Sequence, residues 1–325
     1  MGRLYNDAVS FENQWKACAD ENSHRVDVSV IIPVYRPTHL DAVLRQLNEI
    51  GNDVEVVLVD DSGDGLPLAI GEYPKLRLKL IRHLQNYGRP VARNTGAAYA
   101  SGDVLVFMDQ DMILAPDFFS NVIQLLIDNN GKGIALGLRD TLPFEQIPTM
   151  ENWHSPAPSR DWRVSTPVMD TFIDLTVAGV GSATNHCDPL QMLNIYDRTN
   201  QLRDLGVAPA MTIGFWDLPS MVISHSMAIS KDEFLKIGGF PQWISGWGGE
   251  DIVIGFSAVA AHNPIMMTDS VSYHIQHPPY SGSEQQKNIE LMQNIARYRQ
   301  WAQTADSFPQ VDLAEWRRRG CQISH

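Results

Sequence analysis

The chain has 325 residues, 44% of them hydrophobic, enough to bury the core of one large α/β domain or two smaller ones. Its net charge of -13 argues against nucleic-acid backbones and anionic membrane surfaces as main partners, but not against an anionic ligand, for which a metal can supply the missing positive charge locally. Cys18, Cys187 and Cys321 are too scattered for a zinc knuckle or a disulfide framework, which points to a reducing compartment. The polar N-terminus lacks an apolar signal segment, and no apolar run reaches the roughly 20 residues of a membrane span. A cytoplasmic chain without an integral membrane segment is expected.

In the first 140 residues, short apolar runs alternate with helix-like segments. VDVSVIIPVY (26–35) is a near-continuous β-branched run, as for a strand buried on both faces. Thr38 stands where it would cap a helix whose stripe is Leu40, Val43, Leu44, Leu47 and Ile50, ended by Gly51. VEVVLVDDSGDG (54–65), LRLKLIRH (76–83) and VLVFM (104–108) follow as strands, with a helix over 90–100 between the last two. A helix over 118–129 behind Asp117 and a strand GIALGL (133–138) complete this half. Strand–helix alternation of this kind predicts an α/β fold, a mostly parallel sheet with helices on both faces.

Prolines then break the rhythm, and residues 141–220 read as an insertion. Order returns with a strand MVISHSMAIS (221–230), a short helix 231–237, the loop GGFPQWISGWGGED and a helix from about Asp251 to Ala261. The expected organisation is an N-terminal extension (1–25), a catalytic domain (26–283, with halves 26–140 and 221–283 around the insertion), and a helical tail (284–325).

Ligands of such sheets bind beyond the carboxyl ends of the strands. Asp60, Asp61, Asp109 and Asp111 all fall there. Asp109 and Asp111, one residue apart in MDQDM, repel each other unless a cation holds them, and a divalent metal carrying a diphosphate is the usual partner.

In order and spacing, VSVIIPVYRP, VEVVLVDDSGDG and NYGRPVARNTGAAYASGDVLVFMDQDM resemble the family 2 glycosyltransferases, inverting nucleotide-sugar enzymes of the glycosyltransferase-A fold. GGFPQWISGWGGED resembles the acceptor-side loop of chondroitin-polymerase and polypeptide N-acetylgalactosaminyltransferase catalytic domains. This resemblance implies the following roles. Pro33 and Tyr35 border a uracil pocket, Asp60 and Asp61 lie at the nucleoside, and Arg93 lies near the nucleotide. Asp109 touches the ribose or a metal-bound water. Asp111 ligates manganese or magnesium, with His274 as a further ligand and His277 as second choice. Gln110 does not coordinate. Trp247, Gly248 and Gly249 approach the sugar or acceptor, Glu250 binds the acceptor or donor-sugar hydroxyls, and Asp251 is the general base. The ordinary role of Glu250–Asp251, complementing a helix dipole, is compatible with these.

The implied reaction is metal-dependent, inverting transfer of a hexosyl group from a UDP-sugar to a small-molecule, lipid-linked glycan or peptide acceptor. A retaining enzyme of the same fold and a non-catalytic nucleotide-sugar-binding protein stay open beside it. A dinucleotide-dependent dehydrogenase is excluded, because no G-x-G-x-x-G follows the first strand.

Overall fold

The computed structural model describes residues 26–50, 54–64, 73–153, 175–176, 182–183, 222–261, 263–277, 283–304 and 308–323. The expected N-terminal extension and most of the expected insertion lie outside these residues. Among them no helix is long and apolar enough to cross a membrane.

The chain builds β1 (Val28–Val34), α1 (Leu40–Ile50), β2 (Val54–Asp60), β3 (Leu76–His83), α2 (Arg89–Tyr99), β4 (Val104–Met108), β5 (Met112–Ile113), α3 (Phe118–Asp128) and β6 (Ile134–Leu142). After the short β7 (Leu175–Thr176) and β8 (Ser182–Ala183) come β9 (Ser226–Ser230), α4 (Lys231–Lys236), α5 (Glu250–Ala260), β10 (Ile265–Ile275), α6 (Glu284–Thr304), α7 (Leu313–Arg318) and β11 (Gly320–Ile323).

Nine strands form one sheet in the order β11-β3-β2-β1-β4-β9-β6-β10-β5. Parallel pairing joins β3, β2, β1 and β4, and β9 lies antiparallel between β4 and β6. Since β10 is parallel to β6, six of the nine strands share one direction, against β9, β5 and β11. The mostly parallel α/β sheet expected from the sequence is present.

Successive side chains of a strand point to opposite faces. Val30 and Ile32 of β1 therefore belong to one buried cluster with residues of α1 and α3, while Ile31 belongs to the other, which includes Phe234 of α4, Ile254 of α5 and Trp316 of α7. Helices cover both faces. Burying each such aliphatic side chain contributes roughly 1.5–3 kcal/mol, which is why the β-branched runs become central strands. Gly96 lets α2 approach the sheet, because a Cβ there would overlap the Ile31 side chain.

Three elements differ from expectation. The strand expected over 221–230 forms only at Ser226–Ser230, because its partner β4 ends at Met108, opposite Ser226. β6 runs beyond residue 138 to Leu142, because β10 continues beside it to Ile275. The expected helical tail also contains β11, which pairs with β3 at the sheet edge, while Trp316 is buried under α2 and α4.

Candidate active site

The chain leaves the sheet at the end of β4 with Asp109, Gln110 and Asp111, then returns as β5. β5 pairs antiparallel with β10, setting Met112 against His274, and the Ile275 N–H donates to the Asp111 carbonyl at 2.8 Å. This register brings two imidazoles to one carboxylate: His277 Nε2 lies 2.9 Å from Asp111 Oδ2, and His274 Nε2 lies 3.5 Å from Oδ1. Ligand atoms of the three residues all lie within 4.8 Å of one another. Asp111 is buried, and its Oδ1 has no hydrogen-bond partner among the described residues. A buried, unsatisfied carboxylate oxygen beside two imidazoles fits a divalent cation. Burial holds the His274 imidazole below its usual pKa, against the pull of Asp111 and Asp109, which favours the neutral form that ligates metal.

Asp109 lies apart from this cluster and faces Arg93 of α2. The Arg93 side chain is 1% exposed. It donates to Asp109 Oδ1 at 2.8 Å and to Glu250 Oε1 at 3.2 Å, and lies 3.6 Å from Asp251 Oδ1. Its guanidinium also stacks over Phe240, 5.1 Å from the ring centre. One buried cation thus ties the acidic loop after β4 to the acidic start of α5, whose Glu250 is 157 residues from Arg93. Arg89 adds a second contact to Glu250, at 3.3 Å.

The adjacent carboxylates of α5 are driven apart in acidity. Burial would raise the Glu250 pKa, but Arg89 and Arg93 overcome it and hold Glu250 ionised. Asp251 is raised to about 6, first by burial and then by the Glu250 charge, with Arg93 opposing. Ser224 donates a short hydrogen bond to Asp251. Two carboxylates whose environments separate their pKa values form the usual pattern of an acid–base site. Asp109, like Glu250, is held low by the two arginines despite its burial.

On the opposite side of the same loop, Pro33 and Tyr35 end β1, and Val34 is in register with Asp60 of β2. Asp60 accepts from Arg82 Nε and from the Ser62 N–H, each at 3.1 Å. Asp61 turns the other way. It accepts from His83 Nδ1 at 2.7 Å and from the Tyr87 and Gly88 N–H groups at 2.8 Å, pinning the turn that starts α2. The nucleoside role expected of Asp61 therefore competes with three protein contacts.

The loop 245–249 reaches the site from α6. Asn294, 1% exposed, donates to the carbonyls of Ser245 and Gly248 at 3.0 and 2.8 Å, and Glu290 accepts from the Trp247 N–H at 2.8 Å. Gly248 and Gly249 have φ of 79° and 95°, open to glycine at little cost, and a Cβ on either would press on Leu291 or Asn294 of α6. Trp247 stays 39% exposed, with Lys287 Nζ 5.7 Å from the centre of its ring.

Sequence reasoning ranked His277 below His274, although the H-x-x-H spacing at the end of a strand was visible. It missed Arg89, which stands in the GRP that opens a helix, and Ser224, for which no sequence signal exists.

Residues 29–174 match the model of the glycosyl transferase family 2, past residue 140 and into the segment read as an insertion. Validoxylamine A glucosyltransferase of Streptomyces hygroscopicus subsp. jinggangensis (strain 5008) is 27% identical over 285 residues, 85% of this chain and 61% of that protein. Chondroitin synthase of Pasteurella multocida (strain Pm70) is 27% identical over 303 residues, 89% of this chain and 29% of that protein. The chain thus spans less than two thirds of the length of either relative. The crystal structure of GalNAc-T7 with UDP, GalNAc and Mn2+ covers 91% of this chain and 54% of its own, with a TM-score of 0.53 at 15% identity, and so shares the fold. Residues 29–174 thus resemble the family 2 glycosyltransferases, and the chain is similar in fold to the glycosyltransferase-A enzymes.

Proposed function

We propose that this protein is a metal-dependent, inverting glycosyltransferase that moves a sugar from a UDP-sugar to an acceptor nucleophile. The observation that carries this reading is the Arg93 bridge between Asp109 and the Glu250–Asp251 pair, since it supports one site with a donor half and an acceptor half. The names of the relatives support glycosyl transfer, and the UDP and Mn2+ of GalNAc-T7 suggest the donor class.

In this reading Tyr35, Pro33 and Asp60 receive the nucleoside beyond the ends of β1 and β2. Asp111, His274 and His277 hold a divalent ion, and the two imidazoles favour manganese over magnesium, which prefers an all-oxygen shell. Such an ion offsets the negative charge that grows on the departing diphosphate. Asp251 accepts the proton of the acceptor as its oxygen bonds to the anomeric carbon and the bond from that carbon to the diphosphate breaks. A base with a pKa of about 6 is both ionised and basic enough near neutral pH. Glu250, held ionised by two arginines, keeps Arg93 in place and raises Asp251. Trp247 offers a partly exposed ring face to a sugar.

The test is to incubate the protein with manganese, a panel of UDP-sugars and candidate acceptors, and to read product and anomeric configuration by NMR. An inverted product that Asp251→Asn abolishes supports the reading. A retained configuration would replace it with a retaining enzyme of the same fold.

A further inference from the structure

The sheet order places a reversal of direction at β1. From β1 the chain goes outward through β2 and β3, then crosses back to lay β4 on the other side of β1. Adjacent connections leave such a point in opposite directions, so a crevice opens beyond the carboxyl ends of the two strands, where ligands of these sheets bind. Here those ends are Tyr35 and the loop Asp109–Asp111.

Gln110 spans this crevice. Its Oε1 accepts from the Tyr35 N–H at 2.8 Å and its Nε2 donates to the Tyr35 carbonyl at 3.0 Å. One side-chain amide satisfies both backbone groups of one residue, as a neighbouring strand would, just where β1 and β4 part. Gln110 is 7% exposed, so an unmade bond here would leave buried polar groups unpaired. Beyond Tyr35 the backbone has little other freedom: Arg36 sits at φ 44°, a costly conformation for a non-glycine residue, with its N–H on Ser62 Oγ at 3.3 Å. Two similar clamps, Gln46 on Leu114 and Asn94 on Phe240, join packed elements elsewhere. Only the Gln110 clamp has a metal-ligand candidate as its next residue.

We propose that Gln110 is a positioning residue that couples the two halves of the donor site, so that occupancy of the Asp111–His274–His277 cluster and placement of Tyr35 against the nucleoside favour each other. The inference rests on the proposed donor site. Moving the loop to meet a cation turns the Gln110 amide, and Tyr35 follows because both of its backbone groups are held. Coupling of this kind is reciprocal: manganese must tighten UDP by the same factor by which UDP tightens manganese.

The experiment is calorimetric titration of the full chain with manganese alone, UDP alone, and each in the presence of the other. The wild type is compared with Gln110→Met, which keeps the shape and removes both hydrogen bonds, and with Gln110→Ala. Melting curves confirm that each variant folds, and the alanine variant serves if the methionine variant does not. In the variants the mutual enhancement is expected to fall at least about fivefold, within the usual range of coupling factors, while manganese alone binds as before. A merely structural role would lower the melting temperature and leave the enhancement intact, which overturns the proposal. Loss of manganese binding by itself would also overturn it, since Asp111 would then be the residue disturbed. A wild type that binds manganese but no UDP would instead overturn the proposed function, and the coupling with it.

Discussion

Glu250 and Asp251 are neighbours at the start of α5, yet Arg89 and Arg93 hold Glu250 ionised while burial and the Glu250 charge raise Asp251 to about 6. The division follows from geometry. Both arginines contact one Glu250 oxygen, whereas Asp251 has a Ser224 hydroxyl and one longer approach from Arg93. One carboxylate is thereby a fixed charge and its neighbour a titrating group near neutral pH.

The first prediction is a pH profile. If Asp251 is the base, kcat/KM should be flat above pH 7 and fall tenfold per unit below about 6. Asp251→Asn should lower kcat by about 10²–10⁴. Stability moves the opposite way. A folded pKa raised above the unfolded one gives stability that is present below the unfolded pKa and is lost as pH rises through about 6. Removing the charge should therefore raise the melting temperature at pH 7.5, and a variant both inactive and more stable is the expected result.

Arg93 supplies the second. It is fully buried, and its removal leaves the buried Glu250 and the half-buried Asp109 short of a partner. Arg93→Met should cost about 3–5 kcal/mol in urea denaturation, the usual cost of breaking a buried pair from one side. Changing Arg93 and Glu250 together to apolar residues should recover part of that loss, as a double-mutant cycle would show.

Glu55 gives a prediction away from the site. It is buried at the start of β2, ion-paired to Lys79 at 2.6 Å and hydrogen-bonded by Ser29 and Ser101. Burial opposes its ionisation, but these partners lower its pKa from 4.5 to about 2. A depressed folded pKa gives stability that is present above the unfolded value and lost as pH falls to about 2. The stake is on the order of 3 kcal/mol. Glu55→Gln should be destabilised at pH 7 and indistinguishable from wild type near pH 2, by denaturant titration at the two values.

The half spanning residues 26–140 was legible because its strands are continuous β-branched runs and its helices carry regular stripes. β3 and β4 fall where the sequence puts them. The rest depends on contacts between distant segments. β5 is two residues long and exists because β10 pairs with it, and β11 is a four-residue run, GCQI, that closes the edge beside β3. The acidic loop was visible as a motif, but sequence could not show that Asp109 turns to Arg93 while Asp111 turns to two histidines. The resemblance gives Gln110 no role in coordination, and its bond to a backbone 75 residues away has no sequence signature.

Asn294 tests the loop 245–249, to which the proposed function gives the acceptor. Its amide holds backbone carbonyls of Ser245 and Gly248, and Asn294→Ala leaves them without that donor. A loss of about 1–3 kcal/mol is expected by thermal or chemical denaturation. If this loop positions Asp251, kcat should fall while manganese affinity, measured by titration, stays unchanged.

The central claim is that the Asp111–His274–His277 cluster is a metal-dependent nucleotide site. Its most direct test is a thermal-shift panel of UDP, GDP, TDP, CDP and ADP, each with and without manganese, on wild type and Asp111→Ala. The account predicts stabilisation by UDP that requires manganese and vanishes in the variant. Stabilisation by UDP that is the same without metal, or survives in Asp111→Ala, would contradict it.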